Sequence, residues 1–72
     1  MEVEFEGKFF RINKLRSESN SAFFERIDVF KTLLSKDIDY QDALKYSEIF
    51  FYKKYLGCKY STNVDEILNE YI

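Results

Sequence analysis

Fourteen aromatic rings, eight Phe and six Tyr, are set into a chain of 72 residues. An enclosed ring buries roughly 150–250 Å². A chain this short makes one domain with a thin core. Such an interior cannot enclose all fourteen rings, so some lie at the surface or under another molecule. Other sources of rigidity are scarce. Cys58 is the one cysteine and there is no histidine. An internal disulfide and a Cys/His zinc site of the usual four-ligand kind are therefore excluded. No metal and no cofactor is expected, and stability has to come from packing. A lone thiol also fits a reducing compartment.

The chain carries few breakers: no proline, and glycine only at positions 7 and 57. Uninterrupted helices follow from that. The fold class expected is all-α, a small bundle of four short helices, with residues 1–72 as a single domain. Residues 1–7 are expected as an extended N-terminal arm. Glu2-Val3-Glu4-Phe5-Glu6 alternates like a strand but is short and has no evident pairing partner. Phe9, Ile12 and Leu15, spaced by three, predict a first helix over Lys8 to Arg16. The polar run 17–21 breaks it and supplies N-cap residues. Phe23, Ile27, Phe30 and Leu34, widened by Phe24 and Leu33, predict a second helix over Ala22 to Leu34, with Arg26, Asp28 and Lys31 facing water. Asp39 is placed to cap a third helix over Tyr40 to Leu56, Asp42 suits its first turn, and Gly57 its left-handed close. A fourth helix begins near Ser61 or Thr62 and runs toward Tyr71, with Val64, Ile67, Leu68 and Tyr71 as its apolar stripe. The third helix reads Ile49-Phe50-Phe51-Tyr52, apolar nearly all round, so it is covered on more than one side.

Eleven basic residues stand against thirteen acidic ones. A nucleic-acid binder would usually be clearly basic. The charge is unevenly spread: Lys45, Lys53, Lys54 and Lys59 against Glu48 give +3 over residues 43–60, while Asp65, Glu66 and Glu70 give −3 over 61–72. Glu2, Glu4 and Glu6 give a further −3 at the start. These are solvated faces or a local basic patch for an acidic partner. No stretch approaches the roughly 20 apolar residues of a membrane span, and the start of the sequence lacks a secretory h-region. Catalytic sets are missing as well. There is no imidazole, no phosphate-binding glycine loop, and no partner in sequence for Cys58, which reads as a small buried hydrophobe. The expectation is a non-enzymatic binding domain.

Residues 44–64 are more specific. Leu44 and Ser47 lie three apart, Phe50 follows at three, and then comes the block Tyr55-Leu56-Gly57-Cys58-Lys59-Tyr60, with Val64 four residues on. This resembles the signature of the XTB domain family. Phe24 to Phe30 resembles that family's aromatic-x5-Phe element, with Phe24 where a Trp is usual. Tyr52 stands in place of the usual Asn, Ser61 in place of a common Pro, and the usual basic cluster is reduced to Arg26. The resemblance covers about residues 8–70. It implies a four-helix domain in the nucleus that binds a segment, expected to be helical, of a nuclear 5′→3′ exoribonuclease. The domain would stabilise that enzyme and link it to other factors, with no nuclease activity of its own; the charge balance and the lack of a long apolar run add the expectation of no direct nucleic-acid and no membrane contact. Phe51, Tyr52, Tyr55, Leu56 and Tyr60 are the expected partner-binding residues, with Lys53, Lys54 and Lys59 as a basic rim. Leu44, Phe50, Gly57, Cys58 and Val64 are expected in structural roles. Two rival readings remain open at this point: a self-associating module, and a helical RNA-binding module using lysines and stacked tyrosines.

Overall fold

Glu6 and Gly7 both adopt positive φ, at 50° and 77°. Two such residues in succession make the tight turn that matches the natural twist of paired strands. The chain accordingly opens as a hairpin. The computed structural model describes residues 1–71. Strand β1 (Glu2–Phe5) pairs antiparallel with β2 (Lys8–Arg11), in the register Phe5 to Lys8, Glu4 to Phe9, Val3 to Phe10 and Glu2 to Arg11. Three helices follow: α1 (Asn20–Ser35), α2 (Tyr40–Leu56) and α3 (Thr62–Tyr71).

The expected four-helix, all-α bundle is therefore corrected to a β-hairpin followed by three helices. The predicted helix over Lys8 to Arg16 does not form. Its first four residues are β2, the partner that the strand-like 2–6 segment had lacked, and the N-terminal arm is β1. The spacing of Phe9, Ile12 and Leu15 misled because only Ile12 is buried, at 0% exposure, while Phe9 is 67% exposed. Alternation decides instead: Val3 and Phe10 face each other on the inner side of the hairpin.

The later elements follow their caps. Ser19 accepts a hydrogen bond from the Ala22 N–H at 3.2 Å and opens α1 two residues before the predicted start. Asp37, at φ 64°, ends it; the Asp37 and Ile38 amides donate back to the Leu34 and Leu33 carbonyls. Asp39 accepts from the Asp42 N–H at 2.9 Å, and Gly57, at φ 69°, closes α2, as the sequence predicts. Glu25 near the start of α1 meets Tyr55 near the end of α2, and Phe30 meets Tyr40, so the two helices run antiparallel. The hairpin joins them through Phe10, whose ring lies 5.9 Å from Phe30 and 5.5 Å from Tyr40. The Tyr40 hydroxyl donates to the Arg11 carbonyl at 2.6 Å. Val3, Ile12, Ile27, Phe30, Leu33 and Ala43 sit at the centre of the core these elements share. Helix α3 is more lightly held: Leu68 is its one buried residue. Among the described residues no helix is long and apolar enough to cross a membrane.

The centre of the domain is also charged. Arg26, expected to face water, is fully buried, beside buried Glu18 and Ser47. Its Nε donates to Glu18 Oε2 at 2.7 Å. Its Nη2 donates to the Asn13 carbonyl at 2.5 Å and to Glu18 Oε1 at 3.2 Å, and its Nη1 reaches Ser47 Oγ at 3.5 Å. Glu18 Oε1 accepts the Leu15 N–H as well, at 2.9 Å. Among the described residues no buried side-chain nitrogen or oxygen lacks a partner. The knot ties the irregular segment 12–19 to both long helices. Removing one member leaves the other charge buried and alone, which costs about 3–5 kcal/mol. Urea unfolding of Arg26→Met should show a loss of that size. The double variant Glu18→Leu/Arg26→Met should recover part of it: no unpaired charge remains inside, but the Leu15 N–H and the Asn13 C=O lose their partners.

Candidate functional site

The last two turns of α2 carry the candidate docking residues from Phe51 to Leu56, and the step of about 100° per residue divides them among different faces; Lys59 and Tyr60 follow on the segment after Gly57. Phe51 points into the domain at 2% exposure, so it is a support rather than a contact surface. Tyr55 and Leu56 are open, at 45% and 51% exposure. Tyr52 and Tyr60 are half-buried, and Lys59 is exposed. Among the residues expected in structural roles, Leu44 and Phe50 pack against the core. Gly57 is the left-handed cap and Val64 is half-buried. Cys58 departs from its expected role: it is exposed rather than buried, because the chain leaves the helix at Gly57 into solvent.

Tyr55 is held in place. Its ring stacks on Phe51 with centroids 5.4 Å apart and planes inclined by 27°. Phe51 in turn meets Tyr52 edge-on at 5.7 Å. The Tyr55 hydroxyl donates to Glu25 Oε2 at 2.6 Å, while Lys54 pairs with Glu25 Oε1 and lies 5.5 Å from the centre of the Tyr55 ring. The exposed ring is thus fixed from below by a buried Phe and at its tip by a carboxylate on α1. Lys53 pairs with Asp65 and clips α3 to α2. Two of the three rim lysines therefore bind within the domain, and the free positive charge of this end is smaller than the sequence implies.

Glu25 was not legible as a site residue. It lies 29 and 30 positions from its two partners, and nothing near it in sequence signals them. Its effect is nonetheless clear. The Lys54 ammonium, then the Tyr55 hydroxyl, hold the Glu25 carboxyl below the ordinary glutamate range. The same contact with Glu25 raises both the Lys54 ammonium and the Tyr55 phenol above their usual values. Tyr60 is raised chiefly by partial burial.

A groove of about 360 Å³ lies on the other side of α2, between it and α3. Phe50 and Leu68 give it apolar walls, and Lys53, Lys54 and Asn69 its polar edge. The expected site is thus two surfaces. One is the groove, to which Lys53 and Lys54 alone of the expected contact residues belong. The other is the tip formed by Tyr55 and Leu56 with Tyr52. Among the described residues no group of His, Cys, Asp and Glu could hold a metal ion.

No family model matches the chain, and no curated protein or solved structure matches it significantly.

The Glu25 contacts set a pH dependence. A carboxylate whose folded pKa is lowered contributes stability that is present above the ordinary glutamate range and lost as pH falls through the lowered value. Urea unfolding at pH 7 should therefore separate the wild-type chain from Glu25→Gln, with the wild type more stable. The gap should narrow as pH is brought down toward 3. A gap independent of pH would show that the Glu25 charge is not what holds Tyr55.

Proposed function

We propose that this chain is a protein-interaction domain whose docking surface is the C-terminal end of α2. The observation that carries the proposal is the pairing of exposure with rigidity at Tyr55. The ring is 45% open, next to Leu56 at 51%, yet it is stacked, hydrogen-bonded and seated on a helix. A large ring already fixed in its binding position loses little entropy on docking, and tyrosine is enriched among the residues that dominate interface energy. An apolar helix face from the partner, laid across Tyr55, Leu56 and Tyr52, would cover this tip. Half-buried Tyr60 and exposed Lys59 follow on the segment after Gly57 and would extend the contact. The groove beyond Phe50 offers a second apolar lodgement for the same partner.

The domain acts by binding rather than by catalysis in this reading. The missing histidine supports it, as does the engagement of Glu18, Glu25 and Asp65 in internal ion pairs rather than in a shared cleft. The named partner rests on the XTB-like block alone: a nuclear 5′→3′ exoribonuclease, which the domain would stabilise in the nucleus and link to other factors. The hairpin in place of a first helix leaves that block untouched, since it lies in α2, its Gly57 cap, the connection 58–61 and the start of α3.

Capture of purified exoribonuclease by the immobilised domain, followed by calorimetry, tests the proposal. The expected result is saturable binding that Tyr55→Ala and Leu56→Ala each weaken by more than about 1 kcal/mol while both variants stay folded. Binding unchanged in both variants would remove this surface. No binding by the wild-type domain would remove the exoribonuclease as partner.

A further inference from the structure

The turn at Glu6 and Gly7 also fixes which backbone groups the hairpin leaves open. In a two-residue hairpin the pair flanking the turn, here Phe5 and Lys8, exchanges both its hydrogen bonds, and bonded and non-bonded pairs then alternate. The Ile12 N–H donates to the Met1 carbonyl at 2.9 Å, in phase with that alternation. Glu2 and Glu4 thus occupy non-bonded positions, and their N–H and C=O groups point away from β2. Among the described residues the sheet has two strands, and no strand lies beyond β1. Such an edge is a template for a further strand.

A groove of about 400 Å³ runs along this edge, between β1 and α1. Val3, Phe24 and Ile27 give it an apolar lining, and Met1 and Phe24 stand open at 57% and 56% exposure. Glu2, Glu4 and Asp28 stand on its rim against Lys31 and Met1, which carries the chain's amino group. Among the described residues none of these three carboxylates forms an ion pair. Arg11 lies opposite Glu2 on β2, which leaves the outer side of Glu2 open to an incoming cation.

We propose that the β1 edge is a strand-addition site for an extended basic segment of another protein. Its sequence would carry Lys or Arg at alternate positions with an aliphatic residue between them. The pleat dictates that pattern. Side chains beside Glu2 and Glu4 share their outer face, where opposite charges pair favourably across strands. The residue between them turns to the face of Val3, toward Phe24 and Ile27. A second copy of this chain fits poorly, because antiparallel pairing of two β1 edges sets Glu against Glu. This site is separate from the α2 tip and stands or falls independently of it.

The test is a titration of the isotope-labelled 72-residue chain with a seven-residue peptide of alternating lysine and leucine, capped at both ends. Amide shifts and slowed hydrogen exchange should appear at Glu2 and Glu4 and leave Tyr55 and Leu56 unmoved. Glu2→Lys/Glu4→Lys should weaken binding at least tenfold. Both positions are exposed, so the variant should fold, which circular dichroism checks. Phe24→Ser should weaken it several-fold, and Tyr55→Ala should leave it unchanged. N-methylation of the peptide amides that face β1 should abolish it. Four results would overturn the proposal: equal binding by the N-methylated peptide, shifts centred elsewhere, no saturation at millimolar peptide, or dimerisation of the free chain through β1.

Discussion

A guanidinium at the centre of a small domain is tolerable only if its nitrogens are partnered, and the partners of Arg26 come from two separate parts of the chain. Glu18 and the Asn13 carbonyl belong to the segment between hairpin and helix, and Ser47 belongs to α2. Between Ile12 and the Ser19 cap no helix or ladder satisfies the backbone, and the knot supplies two of the bonds instead: Asn13 C=O is taken by Arg26 and Leu15 N–H by Glu18. The consequence is positional. With segment 12–19 tied down, Ile12 is carried to full burial and the hairpin is set over Phe30 and Tyr40. An apolar replacement of similar volume removes the buried charge, but it leaves those two backbone groups unpaired and does not select one path for an irregular segment.

That arrangement explains how the aromatic surplus is distributed. Phe23, Phe30 and Phe51 are the rings that are buried; Phe9, Phe24 and Tyr55 are exposed and the other eight are intermediate. Charge occupies part of the centre, so rings gather at its margins and form partly open clusters. Two of these have a defined chemistry beside them. At the α2 tip, Tyr55 is held by Glu25 and bordered by lysines already paired. At the β1 edge, Phe24 lines a groove rimmed by carboxylates that are not paired. The first suits a helix with an apolar face, and the second an extended basic strand.

The parts of the fold that could be read from sequence are those that depend on neighbours a few residues away. Asp39 and Gly57 mark the ends of α2 because capping is local. The stripe Phe23, Ile27, Phe30 placed α1 for the same reason. The hairpin was obscured because Glu, rather than the usual Asn, Asp or Gly, takes the first positive φ of its turn. Three residues at helical spacing then outweighed a five-residue alternation. Arg26 shows a different limit. Three residues after Phe23 and four before Phe30, it lies on the core stripe by position, and only its charge argued for water. Glu18 and Ser47, the partners that make its burial possible, are 8 and 21 residues away. Of the candidate site, the residues of the α2 tip were legible. Their division by burial was not, because it depends on where α1 and α3 lie, and neither was the role of Glu25.

Native-state hydrogen exchange measures whether the Arg26 knot holds the domain together. The Leu15 amide lies outside any helix or strand and is protected only by Glu18 Oε1. It should exchange with the same free energy as the central amides of α1 and α2, in one cooperative opening, while amides of α3 open more readily. A Leu15 amide that exchanges as fast as an unstructured peptide, with α1 and α2 still protected, would contradict the account.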